Sequence, residues 1–191
     1  MTAVYRVQCD VNRYRYVLPE DTQAISGLGY GLPVTGWDTP QGYIYEPLLP
    51  SSDFTDFGLI SSWFATTAAV VARLSPMLEV AGQLLPLAVE DVDEPLQLLN
   101  VTETVNALNG KESDIFRGPS GAVIRVKQYV FHRSRLPESS VFKIPETARS
   151  EVLCSSGRKD SHDEFKERVE EEGLVASTEV VYGALADGDT P

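Results

Sequence analysis

Few side chains in this sequence could do covalent or metal chemistry: His132, His162, Cys9 and Cys154 are its only histidines and cysteines. A zinc site needs about four such ligands converging on one point, and these fall in separate stretches. Cys154 and His132 would make a thiol pair if the fold brought them together. The plainer reading of Cys154 is a buried strand cysteine. Asp91 and Asp93, within Glu90-Asp-Val-Asp-Glu-Pro95, suggest a divalent cation, yet the run lacks the glycine and distal glutamate of a calcium loop. Gly27-Leu-Gly-Tyr-Gly31 has the glycines of a phosphate loop without the Lys-Ser/Thr that would complete one. No nucleophile elbow or helical metal motif occurs. The sequence therefore predicts a protein that acts by binding, with no catalytic residue, no cofactor and no metal.

Charge indicates what it would bind. Lys and Arg number 16 against 28 Asp and Glu, which gives a net charge of −12 and a pI near 4.5. That balance repels phosphate backbones and anionic lipid heads and attracts basic proteins, so neither nucleic acid nor membrane is an expected partner. Two acidic runs are candidate contact surfaces. One is Glu90, Asp91, Asp93 and Glu94; the other is Glu164, Glu167, Glu170 and Glu171. Each has a plain alternative. The first can be a solvated turn that discourages edge pairing, and on the second Lys166 and Glu170 form an i,i+4 pair of small worth.

The elements that must position these residues follow from pattern. With 42% hydrophobic and 23% charged residues, the composition is that of one globular domain, expected over 1–182 with a fraying tail at 183–191. Two isolated cysteines, no basic-then-apolar leader, and an uncharged run from Phe57 to Ala72 too short to span a bilayer together predict a cytoplasmic protein. Tyr5, Val7, Cys9 and Val11 alternate as in a half-buried strand, resumed by Tyr14, Tyr16 and Leu18, as one strand or two joined at Asn12. Gly and Pro make 1–55 loop-rich, with Tyr43-Ile-Tyr45 as a strand inside it. Long loops often carry function, so Tyr30, Trp37, Tyr43 and Tyr45 offer an alternative: a small-ligand or enzymatic site in this third of the chain.

Ser61 or Ser62 is read as the cap of a mostly covered central helix running to Leu74, where Pro76 stops it. Leu84 to Val89 and Leu96 to Val101 form a hairpin across the acidic run. Thr102 caps a short helix to Leu108, Ser113 to Gly121 is loop, and Ile124, Val126 and Val130 oppose Arg125, Lys127, Tyr129 and Phe131 on a strand. Ser161 with Glu164 is a capping box for a C-terminal helix. Phe165 and Val169 give that helix its apolar face, and Gly173 with Leu174 closes it. Strands in runs point to an α+β fold with a mixed, mostly antiparallel sheet.

The last part of this plan carries a resemblance. Val141-Phe-Lys-Ile144, a Pro-containing turn, Glu151-Val-Leu-Cys154, a loop, and an acidic helix closing at Glu171-Glu-Gly-Leu174 resemble the C-terminal signature of the family-eleven immunity proteins of bacterial polymorphic toxin systems. Leu96-Gln-Leu-Leu-Asn-Val101 followed by Val105-Asn-Ala-Leu108 is similar to an earlier segment of that family. The likeness covers roughly Leu84 to Tyr182 and departs at Val175-Ala-Ser-Thr178, where a threonine-glycine pair would stand. It implies an immunity protein that neutralises a cognate toxin by occlusion in the cytosol.

Overall fold

The structure, a computed structural model, describes residues 2–23, 25, 30–58, 63–158 and 161–183, except for the side chain of Ser161. The fold is α+β, with twelve strands among the described residues in three sheets and only one parallel strand pair.

The first sheet has β1 (Ala3–Gln8) at its centre, flanked by β11 (Val152–Ser156) and β12 (Ser177–Tyr182), with β10 (Val141–Phe142) outside β11. Both faces are covered, so β1 and β11 read as nearly continuous apolar runs rather than strict alternations. Ala3, Tyr5, Val7, Val152 and Cys154 enter one core, and Val4, Phe142 and Leu153 enter a second on the opposite face. Of the two readings of the N-terminal alternation, the chain forms two strands, Ala3–Gln8 and Tyr16–Pro19, separated by a turn. Asp10 accepts from the amides of Arg13 and Tyr14, and its side chain accepts from Asn12, so the chain turns and leaves the sheet.

Six strands form the second sheet, in the order β2 (Tyr16–Pro19), β3 (Gln41–Tyr45), β6 (Gly82–Val89), β7 (Leu96–Val101), β5 (Phe64–Thr67) and β4 (Thr55–Asp56). Its two outer strands meet through a bridge between Val17 and Phe57, reinforced by the Gly58 amide on the Val17 carbonyl at 2.9 Å. The sheet thus closes into a small barrel, which removes its free edges. Val17, Phe57, Trp63, Ala65, Leu85, Leu87 and Leu98 fill the interior. Gly42 permits the closure, because a Cβ there would lie 2.9 Å from Val17 Cγ1. The segment 32–37 covers the barrel's end. Gln83 exchanges hydrogen bonds with the Val34 backbone, the buried Asn100 amide donates to the Leu32 carbonyl at 3.0 Å, and Trp37 Nε1 donates to the Pro86 carbonyl at 2.9 Å.

The outer face of the barrel supplies Phe64, Leu99 and Val101 to the first core, where α1 (Ala68–Leu74), α2 (Met77–Ala81) and α3 (Phe165–Glu171) also pack. The central helix is shorter than the sequence predicts. Phe64 to Thr67 pairs with Leu99 to Leu96 as a strand, and Thr67, not a residue near 61, caps α1 by accepting from the Val70 amide at 3.2 Å. Only Val70 and Leu74 of α1 are buried, whereas Phe64 and Ala65 are covered as strand residues and Trp63 just before the strand. Ser61 and Ser62 lie outside the described residues. The stop after Leu74 agrees, with Ser75 extended before Pro76.

Three further expectations are corrected. No helix forms between Thr102 and Leu108; the stretch makes isolated bridges to Lys143 and Phe131 instead. Ser113 to Gly121 is not all loop, because β8 (Asp114–Arg117) pairs with β9 (Val123–Gln128) as a separate two-stranded ribbon. After β9 the chain turns its aromatics inward. Tyr129 and Phe131 are buried in the second core while Ile124 faces out, opposite to a simple alternation. Residues 184–191, most of the expected tail, lie outside the described residues.

Candidate partner-binding face

The two acidic runs meet different fates. Leu87 and Leu96 make the last pair of the β6–β7 ladder, and the chain between them turns through Glu90 to Pro95. Asp91 adopts φ 58°, a conformation that aspartate tolerates better than most residues. Glu90, Asp91, Asp93 and Glu94 are exposed, and none forms an ion pair with a described residue. The Glu90 amide donates to the Gly42 carbonyl at 3.0 Å, which holds the turn against β3.

On α3 the carboxylates turn inward or toward cations of the same chain. The helix begins later than a cap at Ser161 predicts. Ser161 lies in a short 3-10 turn, Ser161–Asp163, and Glu164 takes the N-cap position without a side-chain bond to the helix. Glu164 is buried, and its carboxylate accepts from the amides of Gly157 at 2.7 Å and Arg158 at 2.6 Å. Ser140 Oγ, from outside the helix, accepts from the Phe165 amide at 3.0 Å. Glu167 is half-buried and accepts from Ser156 Oγ. Glu170 pairs with Lys166 at 2.5 Å, the expected i,i+4 contact. Glu171 lies 3.1 Å from His162 Nδ1 and 3.7 Å from Arg168. Glu172 binds Arg73 of α1 at 2.9 Å and Arg168 at 2.5 Å, and Arg73 holds its carboxyl below the usual range. Of the eight candidate acids, Glu164 and Glu167 are structural, and Glu170 and Glu171 are internally paired.

The closing turn of α3 is as expected. Gly173 takes φ +64°, the Leu174 amide reaches the Val169 carbonyl at 2.9 Å, and Leu174 packs on the first core. Between α3, α1 and the start of α2 lies an open cleft of about 390 Å³, with Arg73, Ser75, His162 and Arg168 on its walls. Its cations are those already paired with Glu171 and Glu172.

The aromatics of the loop-rich third do not converge. Trp37 packs against the barrel interior and Tyr30 stands exposed. Gly31 is in the left-handed region, while residues 27–29 of the glycine run lie outside the described residues. Tyr43 and Tyr45 belong to the outer face of β3. Cross-strand pairing sets Tyr16 opposite Tyr45, with ring centroids 5.1 Å apart, and Leu18 opposite Tyr43. Tyr43 and Tyr45 are 37% and 42% exposed, and Leu48, in the turn after β3, is 98% exposed. Tyr16 lies beneath them, its hydroxyl pKa raised by desolvation and by neighbouring Tyr45 and Glu46.

Cys154 and His132 are not brought together. Cys154 is buried in the first core, where desolvation pushes its thiol up, while the His132 amide bonds to Ala107 beside the second. Among the described residues no cluster of three or more His, Cys, Asp or Glu is placed to hold a metal, and no helix is long and apolar enough to cross a membrane. The sequence reading missed Lys143, which is buried in the first sheet region with its pKa lowered to about 8 by desolvation. No protein-family model matches the chain, and no curated protein matches it.

Proposed function

We propose that the protein is an immunity protein of the family-eleven type, which binds a basic cognate toxin in the cytosol and blocks it by occlusion. The observation that carries this reading is the β6–β7 turn, where four carboxylates stand exposed without an ion pair to any described residue, on a chain of −12. Such a turn steers a cationic partner toward one place on the surface and speeds encounter at low salt. The strand-turn-strand-helix segment that resembles the immunity family supports the class. Its Phe142, Cys154, Phe165 and Val169 are core residues, which fits a motif kept for architecture rather than for chemistry. Occlusion requires no catalytic group, only a rigid surface, and the closed barrel beneath the turn provides one.

The test is expression of the neighbouring open reading frame's product with and without this protein. A product that arrests growth alone, is harmless in company, and co-purifies with this chain supports the reading. A harmless product that does not bind removes it. Replacing Glu90, Asp91, Asp93 and Glu94 by Asn or Gln should slow association about tenfold at low salt and flatten its salt dependence.

A further inference from the structure

The acidic turn is one border of a larger surface. Tyr16, Leu18, Tyr43 and Tyr45 point to the same side of the barrel, because they form two directly opposed pairs on neighbouring antiparallel strands. Leu48 is exposed in the turn that follows β3, and Glu46 opens the same turn, its carbonyl accepting from the Leu49 amide at 3.0 Å. The acids border this apolar area on separate sides. Glu90 is held at Gly42, beside Tyr43; Glu46 follows Tyr45; and Glu20 is tied to the Gln41 carbonyl at 2.9 Å. The cations of this region, Arg13 and Arg15, precede β2 at the Tyr45 end, where the Arg15 amide donates to the Pro50 carbonyl at 3.0 Å, so they share that border with Glu46.

Exposed tyrosines framed by charge are the composition of a protein-binding surface. Tyrosine offers large, rigid, amphipathic area at little entropic cost, and its ring face attracts guanidinium and ammonium groups. We infer that the outer face of β2–β3, centred on Tyr43, Tyr45 and Leu48 and bordered by the acidic turn, is the surface that seats the cationic partner, with lysine or arginine side chains lying over the two tyrosine rings. The occupant is a basic protein, because Glu20, Glu46 and the four acids of the β6–β7 turn outnumber Arg13 and Arg15 around the apolar centre. This assignment rests on the immunity reading and specifies its contact surface.

The β8–β9 ribbon supplies the internal control. It also exposes an aromatic and an aliphatic residue, Phe116 and Ile124, but among cations: Lys127 Nζ lies 5.6 Å from the Phe116 ring centre, and Arg117 and Arg125 are exposed nearby. An apolar patch with this border should repel a cationic partner.

The experiment measures binding of the neighbouring gene's product to immobilised wild type, Tyr43→Ala with Tyr45→Ala, Leu48→Ser, and Phe116→Ala, each first checked by thermal melting. Hydroxyl-radical footprinting of the wild-type complex accompanies it. The expected result is a loss of affinity of about tenfold or more for the tyrosine pair, mainly through faster dissociation. A smaller loss is expected for Leu48→Ser, no change for Phe116→Ala, and protection of Tyr43 and Tyr45. Wild-type binding that survives both β2–β3 variants, or that leaves the tyrosines unprotected, overturns the surface while the immunity reading stands. An equal loss from Phe116→Ala also overturns it. Absence of wild-type binding removes the immunity reading and this surface together.

Discussion

The β6–β7 turn and α3 carry similar acidic runs and use them in opposite ways. On the turn, the carboxylates extend from the end of a ladder into solvent, with no described cation in ion-pair range. On α3, five glutamates from Glu164 to Glu172 reach the amides of Gly157 and Arg158, the hydroxyl of Ser156, and the cations Lys166, Arg168 and Arg73. A run of acids in sequence is therefore not a surface. What separates the two regions is the neighbourhood that tertiary packing delivers. The helix lies across a loop with free amides and beside an arginine of α1, whereas the turn has neither.

Four measurements would break or sharpen this contrast. Phe165 is buried against Phe54, edge to face at 5.3 Å between centroids, so Phe165→Ala should cost about 3–5 kcal/mol in chemical denaturation. A cost near zero would mean that α3 is not the structural element described.

Lys143 sharpens the comparison from the side of positive charge. Its folded pKa of about 8 lies below the ordinary lysine value of 10.5, so between those pH values the folded state binds fewer protons than the unfolded. The charged form's penalty is full below pH 8 and relieved as pH rises toward 10.5, by about 3 kcal/mol or less. The thiols of Cys9 and Cys154 and the Tyr129 hydroxyl, all pushed up by burial, act in the opposite sense over the alkaline range. The measurement is therefore a difference. The stability of Lys143→Met relative to wild type should fall as pH rises from about 8 to about 10.5, and a constant difference would contradict the burial of the charge.

Glu164→Ala leaves the amides of Gly157 and Arg158 without their acceptor and should cost about 1–3 kcal/mol. Neutralising Glu90, Asp91, Asp93 and Glu94 together should move the unfolding free energy by about 0.5 kcal/mol or less, since those groups are exposed and form no ion pair with a described residue. A large loss from the turn variant would erase the distinction between the two regions.

Local features were legible in the sequence, and features set by distant partners were not. Gly173 and Leu174 stop α3 through bonds within one helical turn, and the β6–β7 hairpin follows from two apolar runs around a polar break. The sequence starts α3 too early, because Ser161 and Glu164 have the spacing of a reciprocal cap, while the chain makes a 3-10 turn over Ser161–Asp163 and the groups that hold Glu164 and Phe165, Ser140 and the Gly157 and Arg158 amides, belong to other segments. Phe64 to Thr67 looked helical beside Ala68 and Ala69, but pairing with β7 outweighed local propensity. The tyrosine face depended on register: Tyr43 and Tyr45 were visible as residues, and only their pairing with Leu18 and Tyr16 makes them a surface.

The place of β1 has a consequence for how the molecule is made. Val7 pairs with Val152 on one side and Thr178 on the other, so this strand finds its neighbours only after residues 152–182 have been synthesised. The barrel strands, by contrast, are all present once Val101 has emerged. During translation the barrel can assemble first and offer Phe64, Leu99 and Val101 as a half-built wall, while the apolar residues of β1 wait uncovered. The interval in which the growing chain most needs protection from aggregation thus runs from the completion of the barrel to the arrival of β11 and β12.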